Sequence, residues 1–111
     1  MLSKSITLVY RRYSVSKMQK KWDPFEREEG EKRLKKKLSK GEITVGQALR
    51  EVRQRSLGLT LEEYARFVQL SKTTLLNIER DAPSVQLGSI EKALRPLHFR
   101  LTLVSTLDDA D

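Results

Sequence analysis

Apolar residues recur at helical spacing through the middle of the chain. The first stripe, which predicts an amphipathic helix over 45–57, consists of Val45, Ala48, Leu49 and Val52. Three shorter helices are predicted in the same way: one from Leu61 to Val68, one over 72–80 and one from Leu87 to Leu97. Pro96 interrupts the last of these helices. We therefore expect an all-α domain of four to five helices.

Polar residues at the starts of these helices support the same boundaries. Thr44 with Gln47, and Thr60 with Glu63, have the spacing of a capping box, in which each side chain satisfies a free backbone N–H. Ser71 is placed to cap the helix over 72–80.

The hydrophobic period changes from helical to alternating near the C-terminus. Phe99, Leu101 and Leu103 alternate with other residues, which predicts a short strand over 99–104. Because a lone strand leaves its backbone groups unpaired, it needs a partner strand. The candidates are a weakly alternating segment over 6–10 and the same strand of a second chain. We favour the second, which gives a homodimer through strand 99–104, with an acidic tail over 105–111.

The positive charge is concentrated in the N-terminal part. The chain has a net charge of +7, residues 1–43 carry that whole excess, and residues 44–111 balance to zero. We therefore divide the chain near Gly41 into a basic N-terminal extension over 1–43, partly helical from about Pro24 to Lys40, and a domain over 44–104. Such a basic balance favours a polyanionic partner, most often nucleic acid. Trp22 is expected to anchor packing.

Composition argues against an enzyme. The chain has no cysteine and His98 is its single histidine, which excludes thiolate chemistry and multi-histidine metal sites. No glycine-rich phosphate loop or Gly-x-Ser-x-Gly elbow is present, so no catalytic site and no cofactor are expected. No apolar run approaches the ~18–20 residues of a membrane span, so we expect a cytoplasmic protein without a membrane partner.

Two short helices joined by a tight turn are the parts of a helix-turn-helix, whose second helix fits the major groove of DNA. Small helical interaction modules share some of this pattern.

The segment from Thr60 to Asp81, TLEEYARFVQLSKTTLLNIERD, resembles the signature of the Cro/C1-type (Xre) family of bacterial and phage regulators. Over 44–104 the chain also resembles HipB-type antitoxins and related operon regulators. The resemblance implies a lambda-repressor-like fold, a strand-paired homodimer and a cytoplasmic, nucleoid-associated regulator.

The resemblance also implies a set of DNA-contacting positions. Lys72, Thr73 and Asn77 fall where the family reads base edges, and Thr74, Leu76 and Arg80 lie beside them. Lysine can donate to guanine, asparagine can pair with adenine, and methyl groups can contact thymine. The alternative is that these residues form only the solvent face of the helix. Further candidates for phosphate contacts are Arg53, Arg55 and Arg66.

Two positions depart from the family pattern. Leu61 stands where the family often has a glutamine that bonds a phosphate and a recognition-helix side chain. Gln69 replaces the usual turn glycine and would carry roughly a kilocalorie of strain if its backbone is left-handed. The basic N-terminal segment is a candidate for compensating phosphate or minor-groove contacts. The alternative is a solvated helix or a disordered tail with no specific role.

The sequence as a whole predicts a sequence-specific regulator that binds a palindromic double-stranded operator as a homodimer. Its expected output is repression of its own operon, and the resemblance adds an antitoxin role with a cognate toxin protein as partner. The alternative is a protein-interaction module that binds a toxin or other partner through the N-terminal extension.

Overall fold

A computed structural model of the protein describes residues 20–107. The predicted strand over 6–10 and the last four residues of the acidic tail lie outside this range. The described chain forms five α-helices: α1 (Pro24–Ser39), α2 (Val45–Glu51), α3 (Leu61–Val68), α4 (Lys72–Glu79) and α5 (Leu87–Leu94). A π-helical turn, Val52–Leu57, continues α2, and a 3-10 turn, Arg95–Leu97, follows α5. The expected all-α class is confirmed for this part of the chain.

The predicted helix caps are present. The Thr44 hydroxyl accepts a hydrogen bond from the Gln47 backbone N–H (3.1 Å), and the Gln47 side chain accepts one from the Thr44 N–H (3.0 Å). Thr60 and Glu63 form the same reciprocal pair at the start of α3. Because each box satisfies two otherwise free donors, it fixes where the helix begins.

Helices α2 to α5 enclose the main hydrophobic core. Its largest fully buried side chains are Tyr64, Leu49, Leu61 and Leu75. The Tyr64 hydroxyl donates to the carbonyl oxygen of Ala93 (2.5 Å), which satisfies the polar end of a ring that has no solvent exposure. This hydrogen bond joins α3 to α5.

Helix α1 packs on the same body through a second cluster. Its Leu34 is buried against Ala48 and Val52, in and just after α2. Trp22 precedes α1 and is 5% exposed, its ring covers Gly30, and its backbone N–H donates to the carbonyl of Arg55 (2.7 Å). Trp22 is therefore the packing anchor that the sequence predicts. From Lys20 onward, the predicted N-terminal extension is packed against the helical domain.

The structure does not support the predicted strand over 99–104. Residues 99–106 lie in neither a helix nor a strand. Phe99 and Leu101 pack against the main core, whereas Leu103 is 97% exposed. Two side chains of the alternating pattern anchor this segment to the core, and residues 20–107 contain no strand that could pair with it. The expectation of a homodimer through this strand loses its structural support.

Candidate nucleic-acid interface

Helices α3 and α4 are joined by a turn of three residues, 69–71. Gln69 ends α3 in the left-handed conformation (φ 61°, ψ 43°), and the next N–H, from Leu70, donates to the carbonyl of Ala65 (2.9 Å). The Ser71 hydroxyl then accepts from the Thr74 N–H (3.0 Å) and caps α4. The chain thus passes from one helix to the next within three residues, and Gln69 adopts the backbone conformation that glycine tolerates best.

One face of α4 is buried, and the rest of its surface carries the predicted contact residues. Leu75, Ile78 and Glu79 face the interior. Three of the predicted residues are exposed, namely Lys72, Thr73 and Arg80. The other three are half-buried, namely Thr74, Leu76 and Asn77. Thr74 accepts a hydrogen bond from the Ser71 hydroxyl (2.8 Å), and Leu76 packs against the main core. The surface of α4 that is open to a partner is therefore carried by the exposed Lys72 and Thr73 and the half-buried Asn77, with the exposed Arg80 just past the last helical residue.

An ion pair connects the first turns of α3 and α4. The ammonium of Lys72 lies 2.7 Å from a carboxylate oxygen of Glu62, and about half of each side chain is exposed. The hydrogen bond from Lys72 is the main reason that the pKa of Glu62 lies below its ordinary value. Sequence reasoning missed this pair, because its members are ten residues apart and meet only when the turn brings the helices together.

The prediction that Arg53 contacts phosphate is wrong. Its guanidinium is buried in the π-helical turn and forms two hydrogen bonds to the Glu79 carboxylate, Nε to Oε2 (2.6 Å) and Nη2 to Oε1 (3.0 Å). Its Nη1 donates to the carbonyl of Leu59 (2.8 Å). Arg53 therefore positions α4 from inside the domain.

The other phosphate candidates differ in their surroundings. The Arg55 guanidinium lies 5.0 Å from the centroid of the Trp22 ring, and its Nε donates to the carbonyl of Lys20 (2.8 Å). Arg66 is exposed on α3. A further cation, Lys92, donates to the carbonyl of Gln69 (3.2 Å) and so places a charge beside the turn. No pattern in the sequence singles out Lys92, since it belongs to the distant helix α5.

The end of α4 is tied to the start of α2. Asp81 accepts hydrogen bonds from the Thr44 hydroxyl (2.6 Å) and from the Gly46 backbone N–H (2.9 Å). A side chain at Gly46 would overlap the backbone carbonyls of Ile78 and Glu79, so glycine permits the close approach of these helices. The Asp81 carboxylate also lies at the positive end of α2.

The single histidine lies apart from α4. His98 ends the 3-10 turn with a left-handed backbone (φ 65°) and lines a cleft of about 410 Å³ beside α1. The hydroxyl in this cleft, that of Ser56, donates to Glu31 (2.6 Å). Between Lys20 and Leu107 no group of three or more histidine, cysteine, aspartate or glutamate side chains could hold a metal ion.

Within the same range, no helix is both long and apolar enough to span a membrane. In comparisons with known proteins, the chain matches no protein-family model, no curated protein and no solved structure.

Proposed function

We propose that this protein is a sequence-specific double-stranded DNA-binding transcriptional regulator of the helix-turn-helix class. The observation that carries the proposal is the pairing of α3 and α4 through a three-residue turn, with Lys72, Thr73, Asn77 and Arg80 on the outward surface of α4. A helix presented in this way fits a major groove about 12 Å wide. The resemblance to the Cro/C1-type signature supports the same assignment.

The outward side chains suit direct reading of base edges. Lys72 can donate to guanine O6 and N7, and Asn77 can form two hydrogen bonds with adenine. The methyl group of Thr73 can contact a thymine methyl. Arg80, at the end of α4, is placed to bind a phosphate and so to fix the register of the helix.

The output that we propose is repression of the protein's own operon through occupation of the promoter. Two copies on a palindromic operator would present their α4 helices to successive major grooves about 34 Å apart. An antitoxin role with a cognate toxin is the finer proposal, and the resemblance to HipB-type regulators supports it.

The experiment is a fluorescence-anisotropy titration of labelled DNA from the gene's own upstream region and of shuffled DNA, each at two salt concentrations. A specific regulator retains tighter binding to the upstream DNA at the higher salt, because base contacts do not depend on counterion release. Sedimentation of the complex gives the number of copies bound.

Variants locate the contact. Asn77→Ala is expected to weaken upstream binding about 10-fold to 100-fold, the usual effect of losing one bidentate base contact, with little effect on shuffled DNA. The control is Arg95→Ala, which removes an exposed cation beyond α5. Equal, salt-sensitive binding to both DNAs would overturn the proposal and favour the protein-interaction module.

A further inference from the structure

The basic run of the sequence forms the second half of a folded helix. Residues 32–40 contain six lysine or arginine residues and no acidic residue. All but the last of them lie in α1, which is fixed to the domain by the burial of Trp22, Gly30 and Leu34. These charges therefore hold fixed positions relative to the remainder of the described domain.

Four of the cations form one continuous stripe. They are spaced at i, i+3, i+4 and i+7 and are all exposed: Arg33, Lys36, Lys37 and Lys40. Leu34 and Leu38 face the second hydrophobic cluster, so no apolar side chain interrupts the stripe. Within the part of the chain that the structure describes, none of these four cations forms an ion pair. The only pair in α1 there joins Lys32 to Glu28 (3.9 Å).

The stripe ends near the end of α4. Lys40 precedes Thr44 by four residues, so their Cα atoms lie within about 14 Å of each other even in a fully extended chain. Thr44 contacts Asp81 directly, and Asp81 follows the exposed Arg80. The C-terminal end of the stripe, at Lys40, therefore lies near the loop that follows α4, next to the proposed phosphate contact Arg80.

We propose that this stripe, the cationic face of α1, is a second DNA-contacting surface that binds backbone phosphates beside the site read by α4. This inference rests on the proposed function and extends the contact beyond the helix-turn-helix. Phosphates suit the stripe because it offers several unpaired charges at fixed spacing. DNA is favoured over an anionic membrane, because an interfacial helix needs an apolar face free to insert, and here that face is buried in the domain.

The test compares two charge-matched double variants by salt-dependent titration. Lys36→Gln with Lys37→Gln removes two charges from the cationic face. Lys20→Gln with Lys21→Gln makes the same change in two exposed lysines that precede Trp22, at the opposite end of α1. The first variant should reduce the slope of log affinity against log salt by about 1 to 2, since each phosphate contact contributes roughly 0.9. The Lys36/Lys37 variant should weaken binding to operator and to shuffled DNA by the same factor. The control variant should leave both the salt slope and the two affinities unchanged. Far-UV circular dichroism and the melting temperature check that α1 remains folded.

The outcomes separate the two proposals. If the upstream DNA is preferred and Asn77→Ala abolishes that preference, an unchanged salt slope in the Lys36/Lys37 variant overturns the inference about α1. If the wild-type protein does not distinguish the two DNAs, the proposed function fails, whatever the α1 variants do. Tighter binding to phosphatidylserine vesicles than to shuffled DNA, lost in the same variant, would also overturn the inference.

Discussion

The carboxylate of Glu79 holds the guanidinium of Arg53 through two hydrogen bonds in the interior of the domain. Both side chains are about 4% exposed, and the pair joins the π-helical turn after α2 to the last residue of α4. In such a place each charge depends on the other, because neither can be solvated by water. The pair therefore ties the position of the proposed DNA-reading helix to the core.

We expect Glu79→Gln to destabilise the domain by about 3–5 kcal/mol, because it leaves the Arg53 charge buried without a counterion. Urea unfolding followed by circular dichroism measures this change. Glu62→Gln is the matched control, since it makes the same chemical change in a half-exposed pair and should cost under about 1 kcal/mol. Equal losses of unfolding free energy in the two variants would show that the buried Arg53–Glu79 pair stabilises the domain no more than the half-exposed pair does.

Glu62→Gln should strengthen DNA binding. The wild-type carboxylate neutralises Lys72 and would repel phosphates, so its removal frees a cation at the start of α4. We expect affinity for upstream and shuffled DNA to rise about 3-fold to 10-fold, with a steeper salt slope. The matched variant Glu91→Gln removes an exposed carboxylate from α5 and should have a smaller effect. A weaker complex in Glu62→Gln would mean that the ion pair orients Lys72 for binding.

The same pair predicts a small dependence of stability on acid. The pKa of Glu62 is lowered in the folded state, so the pair stabilises the domain above the ordinary pKa of 4.5, and this contribution is lost as the pH falls through the folded pKa. The contribution is small because both side chains are half-exposed. Urea unfolding at pH 7 and pH 3 should therefore show a slightly smaller loss of stability for Glu62→Gln than for the wild type.

Tyr64 should make the domain sensitive to alkali. Burial raises the pKa of its hydroxyl to about 12, and the charge of Glu79 adds to the effect. A raised pKa in the folded state gives a contribution that is complete below pH 10 and is lost as the pH rises towards 12. Tyr64→Phe should lower stability at pH 7 by about 1–3 kcal/mol, since the Ala93 carbonyl loses its donor. Between pH 10 and 12 its stability should fall less steeply than that of the wild type.

Two of the helical glycines, Gly30 and Gly88, should respond in opposite directions to alanine. A methyl group on Gly30 would overlap the Trp22 ring, so Gly30→Ala should destabilise the domain by about 1–3 kcal/mol and shift the fluorescence of the single tryptophan. Gly88 in α5 has open space around the corresponding position, so Gly88→Ala should stabilise by up to about 1 kcal/mol. If Gly30→Ala raises the melting temperature, the close packing of Trp22 on α1 is wrong.

Helix positions were predictable because their determinants are local. Thr44, Thr60 and Ser71 act on backbone groups three residues away, and that spacing is visible in the sequence. The left-handed conformation of Gln69 was raised only as a condition, because Gln69 stands where the Cro/C1-type pattern usually has a turn glycine.

What the sequence did not predict depends on contacts between distant segments. Arg53 and Glu79 are 26 residues apart, and nothing local distinguishes a buried arginine from one on the surface. The docking of α1 depends on Trp22 meeting Gly30 and Arg55. The strand over 99–104 was predicted from alternation alone, which cannot supply the pairing partner that a strand requires.

The hydrogen bonds of Asp81 have a consequence for the smallest fragment that can fold. The first turn of α2 is completed by the carboxylate of Asp81. This residue lies 37 positions after Thr44 in the sequence, beyond the last helical residue of α4. A fragment cut at Glu79 would contain both helices of the proposed reading motif but would lack this carboxylate. Any fragment that folds must therefore extend past α4 to at least Asp81, and α5, whose Ala93 and Leu94 complete the main core, lies beyond that point.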